Sequence, residues 1–163
     1  MAEMADSKDV VGVLNGLIET NKDAEEGFRL ASDKVKDLSL KSLFMRYSLQ
    51  RSANVSELQD LVTGLGEKPA STGHIAASLH RGWMNLKEAL SRDEDKAIIH
   101  ECESGEKAAL ANYRDAFGKR MPADLHSIIK RQFSGINEAR RVIRDMKRIT
   151  EPAARSRFVR SEP

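Results

Sequence analysis

The side chains best suited to metal chemistry are glutamates on two segments with helical periodicity. They are Glu19, Glu25 and Glu26 on the first segment and Glu103 and Glu106 on a later one. Carboxylate oxygens bind hard and borderline cations, so iron, manganese or zinc would be the metal in such a group. From this set we take Glu19, Glu25, Glu103 and Glu106 as the candidate ligands.

The sequence lacks the motif that completes a dinuclear centre in a helical bundle. Such a centre uses one Glu from each of two helices and a Glu-x-x-His pair from each of the other two. No Glu-x-x-His occurs in the chain, and the nearest pattern, Glu57 followed by Asp60, offers no imidazole. His74 and His80 are six residues apart, which places them on different faces of a helix. The standard di-iron signature is therefore missing.

Other catalytic motifs are missing as well. The sequence contains no G-x-G-x-x-G, P-loop or G-x-S-x-G pattern. Its single cysteine, Cys102, falls on an apolar stripe, where a thiol usually acts as a small hydrophobic group. These observations favour a protein that is not an enzyme and that needs no cofactor.

A second group of polar residues falls at interior positions of the predicted helices. Interpolating the apolar stripes gives Asn21, Glu25, Gln50, Arg51, Asn54, Glu106 and Gln132. We predict a hydrogen-bonded network in which Arg51 pairs with Glu25 or Glu106, because a buried charge must be compensated. Since Arg51 would repel a cation in the same layer, this network is favoured over the carboxylate site.

Apolar residues that recur every three or four positions predict the helices that would hold these side chains. The first helix is predicted over about residues 7–35 with Asp6 as its N-cap. The second is predicted from Asp37 to Gly64. A third is predicted to begin at Ser91, because Ser91 and Glu94 have the S-x-x-E spacing of a capping box.

The end of the third helix and the whole of the last are predicted from turn residues. Gly118 ends the third helix and Pro122 starts the last one, which runs to about Thr150. Between the second and third helices, residues 74–90 carry an apolar stripe that predicts a helix about 25 Å long. Trp83 lies on this stripe and is predicted to fix the segment against the bundle.

Two antiparallel helix pairs joined by a long middle connection predict the fold class. We predict an all-α, ferritin-like four-helix bundle with a long helical crossover between the second and third bundle helices. An up-and-down five-helix bundle fits the same periodicity. The predicted organisation is a flexible N-terminus over 1–6, the bundle over 7–150 and a basic, flexible tail over 151–163.

Composition limits the classes of partner and compartment. The 163 residues include one cysteine, so no internal disulfide is predicted, and the sequence shows neither an export signal nor an 18-residue apolar stretch. We therefore expect a cytoplasmic protein with no membrane partner. A net charge of +2 from 27 basic and 25 acidic residues is too close to balance to indicate a nucleic-acid partner, and we expect none. A second copy of the chain or another protein, bound through an exposed helix face, remains open.

Three segments, in order along the chain, resemble a known family. They are LNGLIETNKDAEEGFRLAS, LHRGWMNLKEAL and ECESGEKAALANY. They resemble a bacterial family of ferritin-like four-helix-bundle proteins that is classed as a domain of unknown function, over residues 8–148. The resemblance implies a bacterial cytoplasmic protein associated with stress responses, and no established reaction. It also implies a histidine near the place where this chain has Arg140, a departure that weakens a metal site.

Three hypotheses follow. The leading one is a non-enzymatic, stress-associated bundle whose interior holds a polar network in place of a dinuclear centre. The first alternative is a metal-binding or oxidase-like protein that uses the bundle carboxylates. The second alternative is a homo-oligomeric or protein-interaction module.

Overall fold

Five α-helices and one 3-10 turn account for the regular structure in residues 6–70 and 81–150, which the computed structural model describes. The elements are α1 (Ser7–Lys34), α2 (Leu38–Gly64), the turn Arg81–Trp83, α3 (Leu86–Ser91), α4 (Asp95–Phe117) and α5 (Ala123–Ile149). These residues contain no strand, so the predicted all-α class is confirmed for them. None of their helices is both long enough and apolar enough to cross a bilayer.

The first two helices begin where the sequence predicts. The Asp6 carboxylate accepts a hydrogen bond of 3.2 Å from the Lys8 amide. The Asp37 carboxylate accepts one of 3.0 Å from the Leu40 amide. Each side chain satisfies one of the amides that a helix start leaves without an intrahelical partner. The predicted N-cap Asp6 is therefore confirmed, and Asp37, where the second helix was predicted to begin, is the N-cap of α2.

The turn between α1 and α2 is attached to the start of α4. Both carboxylate oxygens of Asp95, the first residue of α4, accept backbone hydrogen bonds from this turn. The donors are the amides of Lys36 at 2.8 Å and Asp37 at 3.0 Å. One side chain therefore couples the α1–α2 hairpin to the second half of the chain.

The predicted helix start at Ser91 is wrong. Ser91 is the last residue of α3, and its hydroxyl donates to the Glu88 carbonyl at 2.6 Å. Asp93 then adopts a φ of 55°, a left-handed conformation that no residue inside an α-helix has. The helix α4 begins only at Asp95, with Glu94 as an N-cap that makes no side-chain capping bond.

The predicted continuous helix over 74–90 is also wrong for the part that the structure describes. Residues 81–91 form a 3-10 turn and then the six-residue helix α3, with Met84 and Asn85 between them. His74 and His80 lie outside the described residues, as do residues 1–5 of the predicted N-terminus 1–6 and the whole predicted tail 151–163.

Trp83 fixes this connection in a gap between α1 and α4. Its ring lies 5.2 Å from the Phe28 ring in an edge-to-face arrangement. A Cβ added to Gly27 would lie 2.4 Å from Trp83 Cε3, and one added to Gly105 would lie 2.2 Å from Trp83 Cε2. Both distances are far below van der Waals contact, so the indole fits because each helix has a glycine here.

The core consists of two apolar clusters separated by buried polar residues. Cluster I includes Leu14, Leu58, Leu110 and Ile129, and cluster II includes Phe28, Phe44, Ile99 and Ile143. The helices α1, α2, α4 and α5 all contribute to both clusters. Along α1, α2 and α4, the buried polar residues Asn21, Ser48, Arg51, Asn54 and Glu106 lie between the two sets.

Candidate functional site

A fully buried ion pair occupies the layer between the two clusters. Arg51 on α2 and Glu106 on α4 each have 0% of their side chain exposed. Two guanidinium nitrogens of Arg51 donate to the two carboxylate oxygens of Glu106, each at 2.5 Å. This bidentate geometry is the strongest arrangement available to the two groups, and it neutralises both charges.

The remaining contacts of Arg51 complete its environment. Its Nε donates to the side-chain oxygen of Gln50 at 3.2 Å. Its guanidinium carbon lies 5.5 Å from the centre of the Phe28 ring, within the range of a cation–π interaction. Phe28 also contacts Trp83, so the ion pair and the connecting segment share one aromatic neighbour.

A second chain of hydrogen bonds joins α1, α2, α4 and α5. The amide nitrogen of Asn21 donates to the Tyr113 hydroxyl at 2.8 Å, and Asn54 donates to the amide oxygen of Asn21 at 3.1 Å. The Tyr113 hydroxyl donates to Gln132 at 2.8 Å, and Gln132 donates to Glu57 at 2.7 Å. Because the donors and acceptors joined by these bonds satisfy one another, burying them carries little penalty.

Burial shifts the acid groups nearest this layer toward their neutral forms. It raises the pKa of Tyr113 to about 12, and the hydrogen bond from Asn21 offsets part of this effect. It also raises the pKa of Cys102 well above the usual thiol value, and the nearby Glu106 and Glu101 carboxylates act in the same direction. A thiol that stays protonated is a poor nucleophile, so this environment does not activate Cys102.

The structure places the seven predicted network residues in two hydrogen-bonded groups and leaves one out. Arg51, Gln50 and Glu106 form one group, and Asn21, Asn54 and Gln132 belong to the other. Glu25 joins neither group through its carboxylate. Its backbone carbonyl accepts a hydrogen bond from the Ser48 hydroxyl, and among residues 6–70 and 81–150 it is Glu106 that pairs with the charge of Arg51.

Sequence reasoning missed two members of the second group, Tyr113 and Glu57. Tyr113 is fully buried on α4, so its hydroxyl is a polar group that needs a partner. That requirement was the available signal, since a buried tyrosine normally hydrogen-bonds through its hydroxyl. Glu57 gave no comparable signal, because its half-exposed position is typical of a surface carboxylate.

The four candidate metal ligands do not form a common group. Glu106 is held by Arg51, and the Glu103 carboxylate lies 3.3 Å from Lys147 and 3.9 Å from Arg144. Glu19 and Glu25 are both partly buried on α1. Within residues 6–70 and 81–150, no three His, Cys, Asp or Glu side chains are arranged so that they could hold a metal ion.

Comparison with known proteins identifies a family but no characterised relative. The family described as a domain of unknown function (DUF2383) matches residues 9–119, which is more than half of the chain. The match includes α1 to α4 and ends before α5. No curated protein matches the chain.

Proposed function

The chain belongs to the family described as a domain of unknown function (DUF2383), and from this premise we propose that it is a ferritin-like four-helix-bundle protein with a non-enzymatic role. In this proposal the interior polar network takes the place of a dinuclear metal centre. A bacterial, cytoplasmic and stress-associated setting is part of the proposal and rests on the resemblance of the three sequence segments.

The arrangement of the long helices supports the ferritin-like part of the proposal. The two helical hairpins, α1–α2 and α4–α5, share both core clusters. The connection between them, residues 65–94, is much longer than the three-residue link from α1 to α2. One long crossover between two helix pairs is the connectivity of ferritin-like bundles.

The ion pair of Arg51 and Glu106 carries the functional part of the proposal. A dinuclear centre needs several interior carboxylates whose oxygens are free to bind cations. Here both oxygens of Glu106 already accept hydrogen bonds from a guanidinium, which is itself a buried cation. A metal ion in this layer would have to displace Arg51 or lie beside its positive charge, and either would be costly.

Metal analysis tests this proposal. We expect protein purified without a histidine tag to contain far less than one iron, manganese or zinc ion per chain. Its thermal unfolding midpoint should be the same with and without a chelator, because no folding free energy would come from a metal. The measurements are elemental analysis and circular dichroism melting of the same preparation.

The opposite result would favour the metal-binding or oxidase-like alternative. Near-stoichiometric metal, together with a lower midpoint in chelator, would contradict the proposal. If Glu25→Gln and Glu106→Gln then abolished metal retention while Glu26→Gln did not, the bundle carboxylates would be the ligands. Glu26 is a suitable control because its exposed side chain lies on α1 next to Glu25.

The exposed face of α2 favours a second candidate, self-association. Leu38, Met45 and Leu49 are 77%, 40% and 64% exposed. Their spacing of seven and four residues places them on one side of the helix, where they form an apolar stripe. A second copy of the chain would bury this stripe against its own α2.

Light scattering with column separation tests self-association. We expect the intact chain to have the mass of a dimer and Leu49→Lys to reduce it to that of a monomer, because a charge would have to be buried at the contact. Ile149→Lys is the matched control, since Ile149 is equally exposed but lies at the end of α5. A monomeric mass for the unaltered chain would exclude this candidate.

A further inference from the structure

Basic residues lie along one edge of the contact between α4 and α5. The Glu103 carboxylate on α4 lies 3.9 Å from Arg144 on α5 and sets the register of the two antiparallel helices. One turn forward on α4 corresponds to one turn back on α5, so Lys107 lies level with Arg140. Lys147 is on the same side of α5, 3.3 Å from Glu103. We call Lys107, Arg140, Arg144 and Lys147 the basic strip.

Arg140 carries a buried hydrogen-bond donor that has no partner. Its Nε is buried and makes no hydrogen bond, although the residue as a whole is only half-buried. A guanidinium N–H that leaves water without gaining an acceptor costs free energy, and such groups are rare in folded proteins. The position of this donor therefore indicates an acceptor that comes from outside the chain.

The positive charge of the basic strip exceeds the negative charge that the chain places beside it. Glu103 pairs with Lys147 and Arg144. Within the described part of the chain, no carboxylate forms an ion pair with Lys107 or Arg140. A water molecule would satisfy the Nε donor of Arg140 but would leave the excess charge in place. An anion would satisfy both, so an anion is the acceptor that this arrangement favours.

A phosphate group matches this arrangement better than a carboxylate does. The guanidinium of Arg140 presents its N–H groups in a rigid plane that fits an oxyanion, and Lys107 on the neighbouring helix adds an exposed point charge. A phosphate group has about two negative charges at neutral pH and three strong acceptor oxygens. A single carboxylate has one charge and two oxygens, so it would leave more of the excess charge unbalanced.

We propose that the basic strip binds a phosphate group, either as inorganic phosphate or as part of a short phosphate chain. The Nε of Arg140 donates to one phosphate oxygen, and Lys107 and Arg144 balance the remaining negative charge. This site goes beyond the function proposed above, because it uses neither the ion pair of Arg51 nor the exposed face of α2.

Calorimetric titration of the full chain at low ionic strength tests the site. The probes are inorganic phosphate, tripolyphosphate and malonate, a dianion whose charges are on two carboxylates. We expect one saturable site for phosphate and several-fold weaker binding of malonate. Tripolyphosphate distinguishes the two sources of the phosphate group. Tighter binding than that of inorganic phosphate would assign the strip to a phosphate chain, and equal or weaker binding would assign it to a single phosphate.

Substitutions assign the binding to Arg140. Arg140→Lys keeps the positive charge and removes the Nε donor, so it should weaken phosphate binding by tenfold or more, the usual effect of losing a charge-assisted hydrogen bond. Lys107→Gln, at an exposed position, should weaken it several-fold. Arg141→Lys is the matched control, because Arg141 is exposed and lies 3.4 Å from Glu138, outside the basic strip. It should leave binding unaltered.

Thermal unfolding gives a second measurement of the same site. Phosphate should raise the unfolding midpoint of the unaltered chain and should not raise that of Arg140→Lys. In phosphate-free buffer, Arg140→Met should be no less stable than the unaltered chain, because the buried Nε has no hydrogen bond to lose. A clear loss of stability in that buffer would show that the protein itself satisfies this donor.

Three further results would overturn the proposal. The first is the lack of saturable binding of both inorganic phosphate and tripolyphosphate at millimolar concentration. The second is an affinity for phosphate that Arg140→Lys leaves unchanged, which would reduce the strip to a region of diffuse positive charge. The third is binding of malonate at least as tight as that of phosphate, which would show no preference for phosphate oxygens.

Discussion

Arg51→Met is expected to lower the free energy of unfolding by about 3–5 kcal/mol, the usual cost of removing one partner from a buried ion pair. The substitution leaves the Glu106 carboxylate fully buried with no charge to balance it. Loss of the contact with the Phe28 ring adds to this cost. Urea unfolding followed by circular dichroism measures the effect, provided that the slope of the transition is unchanged.

A double variant separates two contributions to the free energy of unfolding, the loss of the ion pair and the loss of side-chain packing. Arg51→Met with Glu106→Leu replaces both charges by apolar groups, and such replacements are often neutral or stabilising. We therefore expect the double variant to be clearly more stable than Arg51→Met alone. Arg148→Met breaks an exposed ion pair with Asp145 and should cost less than about 1 kcal/mol. Equal costs for Arg51→Met and Arg148→Met would refute the role given to the buried pair.

Gly105→Ala is expected to destabilise the protein by about 1–3 kcal/mol, the usual range for overpacking a filled site. The new methyl group would lie 2.2 Å from the Trp83 ring, so either the indole or the helix α4 must move. Gly27→Ala, on the opposite wall, should have a similar effect because its methyl group would lie 2.4 Å from the same ring. Both are measured by urea unfolding.

Gly16→Ala is the matched control on α1. Nothing lies within 4 Å of a Cβ at Gly16, so the same chemical change should stabilise the helix by about 0.5–1 kcal/mol. In a Trp83→Ala background, the cost of Gly105→Ala should largely disappear, because the group that it meets has been removed. A Gly105→Ala protein as stable as Gly16→Ala would show that the indole does not occupy this gap.

Local sequence signals predicted where α1 and α2 begin. They failed for α4, because a turn at Asp93 lies just before its first residue. Asp6 and Asp37 cap their helices through bonds to amides two or three residues away, which spacing alone can indicate. Ser91 and Glu94 have the spacing of a capping box, but the left-handed turn at Asp93 separates them. The spacing of apolar residues cannot reveal a single residue, such as Asp93, whose left-handed conformation changes the direction of the chain.

Contacts between helices were only partly predictable. The stripes placed Arg51 and Glu106 in the interior, but the choice between Glu25 and Glu106 as the partner of Arg51 depends on how α2 packs against α1 and α4. The same limit applies to Trp83: its position on a stripe indicated burial, while the gap that holds it requires Gly27 and Gly105 to face each other. A glycine in the middle of each of two predicted helices was the available signal, since glycine there is costly unless close approach requires it.

The position of Trp83 between α1 and α4 also determines which part of the protein its tryptophan fluorescence monitors. The chain has a single tryptophan, so all of its indole fluorescence comes from one position, between α1 and α4 beside Phe28. That position belongs to cluster II, and cluster I lies beyond the polar layer. Emission therefore follows one half of the core while circular dichroism follows all the helices, and the two signals together distinguish whether the halves unfold as one unit or in succession.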